Sequence, residues 1–167
     1  VEGRIIAIVT SGADDLDGVR EVRRAALDAG MVPLVVAPAG GVLDREGDPV
    51  TVQRTFANAR STEFDAIVLA GAPAPAADAY GARDAKADDD LGVATVVDPR
   101  LLLMVAEAYR HGKAIGAWGE GMVALEAAGL PEGPAGVVFG ETAASVLPAV
   151  TRLLGGHRAW GRFTPAL

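Results

Sequence analysis

Lys113 to Met122 reads KAIGAWGEGM. A lysine leads into a short apolar run, the run breaks at a glycine, and a helical pattern starts at once. In many α/β enzymes such a strand–elbow–helix turn lifts a nucleophile above the sheet. Here the turn supplies Trp118, Gly119 and Glu120, which carry neither hydroxyl nor thiol. Glu120 is expected to cap the helix start rather than to act as a general base. Thr10 and Ser11 are the hydroxyls near a strand end, and neither has an assignable histidine base. Of the two histidines, His111 falls at a predicted helix C-terminus, where a cation offsets the dipole, and His157 falls in the tail. No Ser–His–Asp arrangement assembles from these residues, and no catalytic residue is assigned.

Other stretches carry chemical residue types without the spacing that chemistry needs. TSGADD, Thr10 to Asp15, resembles a phosphate loop in its glycine, but the carboxylates of Asp14, Asp15 and Asp17 crowd this turn and make it a poor anion cradle. It lacks both GxGxxG and GK[ST]. It reads as a tight turn with an acidic helix start, so flavin or nucleotide binding is not expected. Asp88-Asp89-Asp90 lacks the spaced oxygen ligands and turn glycine of a calcium loop, so it reads as a solvated charge run and no metal is expected. With no cysteine in the chain, disulfides, thiolate metal sites and cysteine nucleophiles are excluded; this fits a reducing compartment, and a cytoplasmic location is expected.

The chain has 167 residues and a formal net charge of −7, so one domain is expected and nucleic acid is not an expected partner. No uninterrupted apolar run reaches membrane-spanning length, so no membrane association is expected. No signal peptide is visible. Val1, not methionine, comes first, as expected of a piece excised from a longer chain.

These residues must be positioned by an alternation of strands and helices. RIIAIVT at 4–10, the runs at 31–37 and 65–70, and Ala114 to Trp118 are continuous apolar segments. They suit strands buried on both faces of a parallel sheet. Helical patterns cover 14–29, with Asp14, Asp15 and Asp17 favourable to the dipole at its start. Further helices are predicted from Asp98-Pro99 to about His111, over 121–128 and over 142–154, with a short strand at 137–139. The VL and VTV pieces around DREGDP, within 41–52, predict a β-hairpin. The sum is an α/β, flavodoxin-like doubly wound sandwich with a mainly parallel central sheet and a small β-hairpin. The long segment 71–97 is expected to be a mobile surface excursion rather than a working lid.

GRIIAIVTSGADDLDGVREVRRAALDAG, the hairpin, FDAIVLAGAP and the empty elbow together resemble the class I glutamine-amidotransferase-like superfamily. Active members carry an acidic residue after the first strand and a cysteine at the elbow. Asp17 matches the first position and Gly119 falls at the second, so both read as vestigial. A narrower resemblance covers essentially the whole chain. GRIIAIVTS, LLLMVAEAYRHGKAIGAWGEG and GGHRAWGRFTPAL are similar to the C-terminal domain of large-subunit haem catalases. The segment 71–97 is longer than that family leads one to expect.

That resemblance implies a single domain, 1–167, from the C-terminus of a catalase that disproportionates hydrogen peroxide on haem. It implies no haem here; Tyr80 and Tyr109 show no ligand context. The implied role is non-catalytic: stabilisation, assembly of a homotetramer through the catalase core and neighbouring subunits, or chaperone-like protection of unfolded clients. The alternative is a stand-alone small-molecule enzyme or binder using Asp17 and Glu120. In the tail, His157, Arg158, Trp160, Arg162 and Phe163 form a candidate interface, since arginine and aromatic residues favour interfaces; equally, the tail packs Trp160 on its own domain. Whichever holds, the elbow is kept as a structural joint, for which glycine suits a sharp turn.

Overall fold

The computed structural model describes residues 1–11, 15–43, 48–71, 97–131 and 133–163. In chain order the elements are β1 (Ile5–Thr10), α1 (Leu16–Asp28), β2 (Val32–Ala37), β3 (Gly41–Leu43), β4 (Val50–Val52), β5 (Arg54–Thr55) and β6 (Ala66–Ala70). Then come α2 (Pro99–Arg110), β7 (Ala114–Trp118), α3 (Met122–Ala127), β8 (Val137–Gly140) and α4 (Ala143–Gly155). Single 3-10 turns occupy Ser61–Glu63, Gly119–Gly121 and Trp160–Phe163.

The main sheet has the order β5-β2-β1-β6-β7-β8, with every pair parallel. Apart from β5, this is the expected doubly wound order, with the strand sequence reversing direction between β1 and β6. The hairpin β3–β4 is a separate antiparallel pair, in register from Gly41 opposite Val52 to Leu43 opposite Val50. The small edge strand β5 was not expected, because two residues of mixed polarity carry no periodic signal.

Alternation within each strand feeds two cores. Ile6 and Ile8 of β1, Val35 of β2, Val68 of β6 and Trp118 of β7 pack under α1 and α4, against Val19, Val22, Val146 and Val150. Ala7, Val9, Val36, Ile67, Leu69 and Ile115 face the opposite side, where Leu101, Met104 and Val105 of α2 and Leu125 of α3 cover them. Both sheet faces are therefore covered, and that is why the strands read as continuous apolar runs.

Helix ends follow the sequence signals with two adjustments. Asp98 caps α2 as expected, accepting from Arg100 N at 2.9 Å, with Pro99 in the first helical turn. The Arg100 side chain also pairs with Asp98, Nη2 to Oδ2 at 2.5 Å. That hydrogen bond lowers the buried carboxyl's pKa against the opposing effect of burial. Helix α1 starts at Leu16, later than expected, because Asp15 serves as its cap, with Oδ1 accepting from Gly18 N at 3.0 Å; Asp14 lies outside the described residues. Gly112 ends α2 with a φ of +67°.

Lys113 is the larger surprise. It is buried, and its ammonium donates to the carbonyls of Ser61 and Phe64, the latter at 2.6 Å. It thereby ties the start of β7 to the turn before β6. Burial pulls its pKa down, nearby Arg158 adding to the shift and Asp65 and Glu107 opposing it. Among the described residues no helix is long and apolar enough to cross a membrane. The expectation for 71–97 falls, between Gly71 and Val97, outside the described residues, as do Tyr80 and Asp88-Asp89-Asp90.

Candidate functional site

The elbow forms where β7 ends beside β6. Trp118 is extended, and Gly119 turns the chain with a φ of +55°. A non-glycine residue is costly in that left-handed conformation, and nucleophile elbows are known for this strain. Among the described residues, a Cβ built on Gly119 would meet nothing within 4 Å, so space does not require glycine here; the backbone does. Two residues on, space runs out: a Cβ on Gly121 would lie 2.7 Å from the carbonyl oxygen of Leu69. Gly121 is thus glycine because α3 starts hard against β6.

Glu120 does not cap the helix. It is exposed, and neither the 3-10 turn nor α3 begins with a side-chain cap. The 3-10 turn runs directly into α3, so Glu120 sits inside the turn rather than ahead of it.

An acidic residue does reach the elbow, but it is Asp15. The Trp118 indole Nε1–H donates to Asp15 Oδ2, while the other carboxylate oxygen caps α1. Asp15 itself has a φ of 46°, a strained conformation that the two hydrogen bonds hold in place. Asp17, the residue matched to the superfamily's acidic position, has a side chain 97% exposed and pairs with Arg20 at 2.8 Å. The structure brings Asp15 and Trp118 together and leaves Asp17 on the surface. A sequence signal existed for Asp15, namely an aspartate directly before an apolar helical run and three residues ahead of the amide it caps.

Between the carboxyl ends of β1 and β6, the cavity lined by Thr10, Ser11, Leu69, Gly71 and Gly121 has a volume of about 10 Å³. That is at the lower limit for one water molecule. Both histidines lie at the other end of the sheet: His111 follows α2 just before β7, and His157 follows α4. Neither Thr10 nor Ser11 therefore has a histidine base. Among the described residues no group of three or more histidine, aspartate or glutamate side chains is arranged to hold a metal ion.

The same residues do not fit a haem. His111 and His157 are exposed at chain turns, and the Tyr109 ring is covered by the Arg162 guanidinium, 4.3 Å from its centroid.

The tail is anchored, but not through Trp160. Ala159 N donates to Gly112 O at 2.7 Å. Arg162 Nη1 donates to Tyr109 O at 2.8 Å and Nε to Ala135 O at 2.5 Å, so one guanidinium joins the end of α2 to the approach to β8. The Phe163 ring edge rests on Gly112, where a Cβ would come within 2.9 Å of it. Trp160 is 63% exposed, so the expectation that this ring packs on the domain fails. Arg158 and His157 complete the turn, His157 with a φ of 65°. Arginine did the anchoring expected of tryptophan because its fork reaches two carbonyls at once.

Comparison with known proteins bears on this arrangement. Residues 2–164 match the family described as the C-terminal domain found in long catalases. The chain is 31% identical over 183 residues to a catalase HPII of Mycobacterium avium, an alignment spanning all of this chain and 24% of that protein. It is 28% identical over 163 residues to a catalase HPII of Pseudomonas aeruginosa, spanning 97% of this chain and 21% of that protein. The chain thus spans less than a quarter of the length of these relatives. An elbow without a nucleophile, both histidines at the far end of the sheet and a match across nearly the whole length agree: this chain belongs to the family of C-terminal domains found in long catalases.

Proposed function

We propose that residues 1–167 form a single, non-catalytic domain of a long haem catalase, an amidotransferase-like fold that stabilises the enzyme or its assembly. The observation that carries this reading is the elbow. Its left-handed backbone is intact at Gly119, yet no nucleophile stands there and Asp15 is committed to a cap and to Trp118. Selection for turnover would have kept a reacting group; selection for a rigid joint requires only the glycine.

In this reading haem and peroxide chemistry belong to the rest of the parent chain, and the domain's partners are the catalase core and the neighbouring subunits of a homotetramer in the cytoplasm. Removing the domain from the parent enzyme is the test. The expected result is unchanged peroxide turnover per haem, with earlier thermal inactivation or loss of the assembled form. Loss of turnover per haem at full occupancy and assembly would overturn it. Chaperone-like protection belongs to the same reading, supported by the exposed Leu103 and Phe139. It requires that the domain slow the aggregation of a heated client at comparable mass.

A further inference from the structure

Trp160 and Phe163 form an exposed aromatic pair within the tail that the sequence offered as a candidate interface. Their ring centroids are 6.3 Å apart and the planes tilted by 58°; they are 63% and 54% exposed. Single exposed apolar side chains are ordinary. These two differ because the turn that carries them is held rigid. Here Arg162, lying between the two rings in sequence, ties it to Tyr109 O and Ala135 O, and Ala159 ties it to Gly112. The domain thus orders the turn without burying its tryptophan. Exposed aromatic rings favour an interface, and ordering them beforehand lowers the cost of docking.

Position in the fold selects the occupant. Gly112 precedes β7 and Ala135 precedes β8, so the turn sits at the amino end of the sheet. The amino end of β1 is on the same edge. Asp65, ahead of β6, accepts from Arg4 at 2.9 Å and from Ile5 N at 3.0 Å, and Arg158 of the tail is close enough to favour its charged form. In a long catalase the chain preceding a C-terminal domain joins it through its first strand, and in the curated relatives about three quarters of the length lies outside the matched part. That mass is delivered to the edge where Trp160 and Phe163 stand. The elbow and the apolar groove of about 290 Å³ between Met122, Pro131 and Phe139 involve the other end of β7 and β8 or the flank of α3.

We infer that the amino end of the sheet, centred on Trp160 and Phe163 and held by Arg162, is the face that docks on the catalase core of its own chain. This rests on the proposed function and specifies the surface and the partner. Arg162 is a positioning residue in it, since it presents the rings.

The experiment uses the full-length parent holoenzyme, with Trp160→benzoylphenylalanine or Phe163→benzoylphenylalanine as a photo-crosslinker. Phe139→benzoylphenylalanine, similarly exposed, serves as the control. Assemblies mixed from isotopically light and heavy chains distinguish links within a chain from links between chains. The expected result is a link from 160 or 163 to the catalase core of the same chain, and none from 139. Doubly substituted Trp160→Ala, Phe163→Ala enzyme should release the domain to protease about tenfold faster or more. Links from 139 with 160 and 163 silent would overturn the face. Links only to a neighbouring subunit or to another C-terminal domain would overturn the occupant. In each of those cases the deletion test can still succeed, so a failure of this inference is distinguishable from a failure of the proposed function.

Discussion

Gly116, at the centre of β7, sets the distance between the sheet and α4. A Cβ added there would lie 2.6 Å from Val146 Cγ1 and 2.7 Å from Val150 Cγ2. Carbon atoms prefer separations of about 3.5–4.0 Å, so Gly116→Ala must push α4 outward by about 1 Å. The strand cannot yield instead, because β7 is paired to β6 on one side and β8 on the other. Overpacking of this kind costs about 1–3 kcal/mol, and two blocked methyl groups put it near the upper end. Replacing glycine recovers about 0.5–1 kcal/mol through the unfolded chain. A net loss of about 2 kcal/mol is expected, which for a chain of this size lowers Tm by roughly 4–8 °C. Urea and thermal melts measure it. In a Val146→Ala, Val150→Ala background the same substitution should be neutral or slightly stabilising, giving a coupling of about 2 kcal/mol. A Gly116→Ala domain as stable as the parent, or a loss that the valine truncations do not relieve, would refute the view that this glycine sets the packing. The result bears on function because α4 leads directly into the Trp160 turn.

Asp15→Ala removes the α1 cap and leaves the buried Trp118 indole N–H without its acceptor, and should cost about 1–3 kcal/mol; a changed Trp118 fluorescence in a Trp160→Phe background reports the lost contact, and Asp15→Asn should retain most of the stability. Gly119→Ala should cost only about 1–2 kcal/mol, the penalty of the left-handed backbone. Gly121→Ala should cost more, because its Cβ meets the Leu69 carbonyl oxygen; equal losses in denaturant melts would contradict the geometry. Burial raises the pKa of Asp65, but the Ile5 N–H and Arg4 more than offset it, so the folded value lies below the ordinary 3.8. Its contribution is therefore present above that pH and is lost as pH falls through the lower, folded value. An acid titration of Arg4→Met should show a weaker dependence of stability on pH in that window than the parent, and an unchanged slope would count against the Arg4–Asp65 pair.

Much of this was legible in the sequence, for a physical reason. A strand buried on both faces must be apolar at consecutive positions, so IIAIVT, AIVLA and AIGAW announce a covered parallel sheet wherever they lie in the chain. Helix starts such as Asp98-Pro99 are equally local, since the cap bonds an amide two residues away. The absence of cysteine and the glycine at the elbow already removed a nucleophile. Tertiary structure alone decided what depends on residues far apart in sequence. That Asp15 rather than Asp17 meets Trp118 follows from a single hydrogen bond across 103 positions. Lys113 is polar by type, and only the juxtaposition of two carbonyls 52 and 49 residues away makes its burial tolerable. Arg162 instead of Trp160 anchors the tail because the end of α2 and the approach to β8 converge on one guanidinium. Periodicity records which face of an element is buried; it carries no information on which distant polar group will complete a contact, and the contacts that separate the joint, the anchor and the exposed aromatic face are all of that kind.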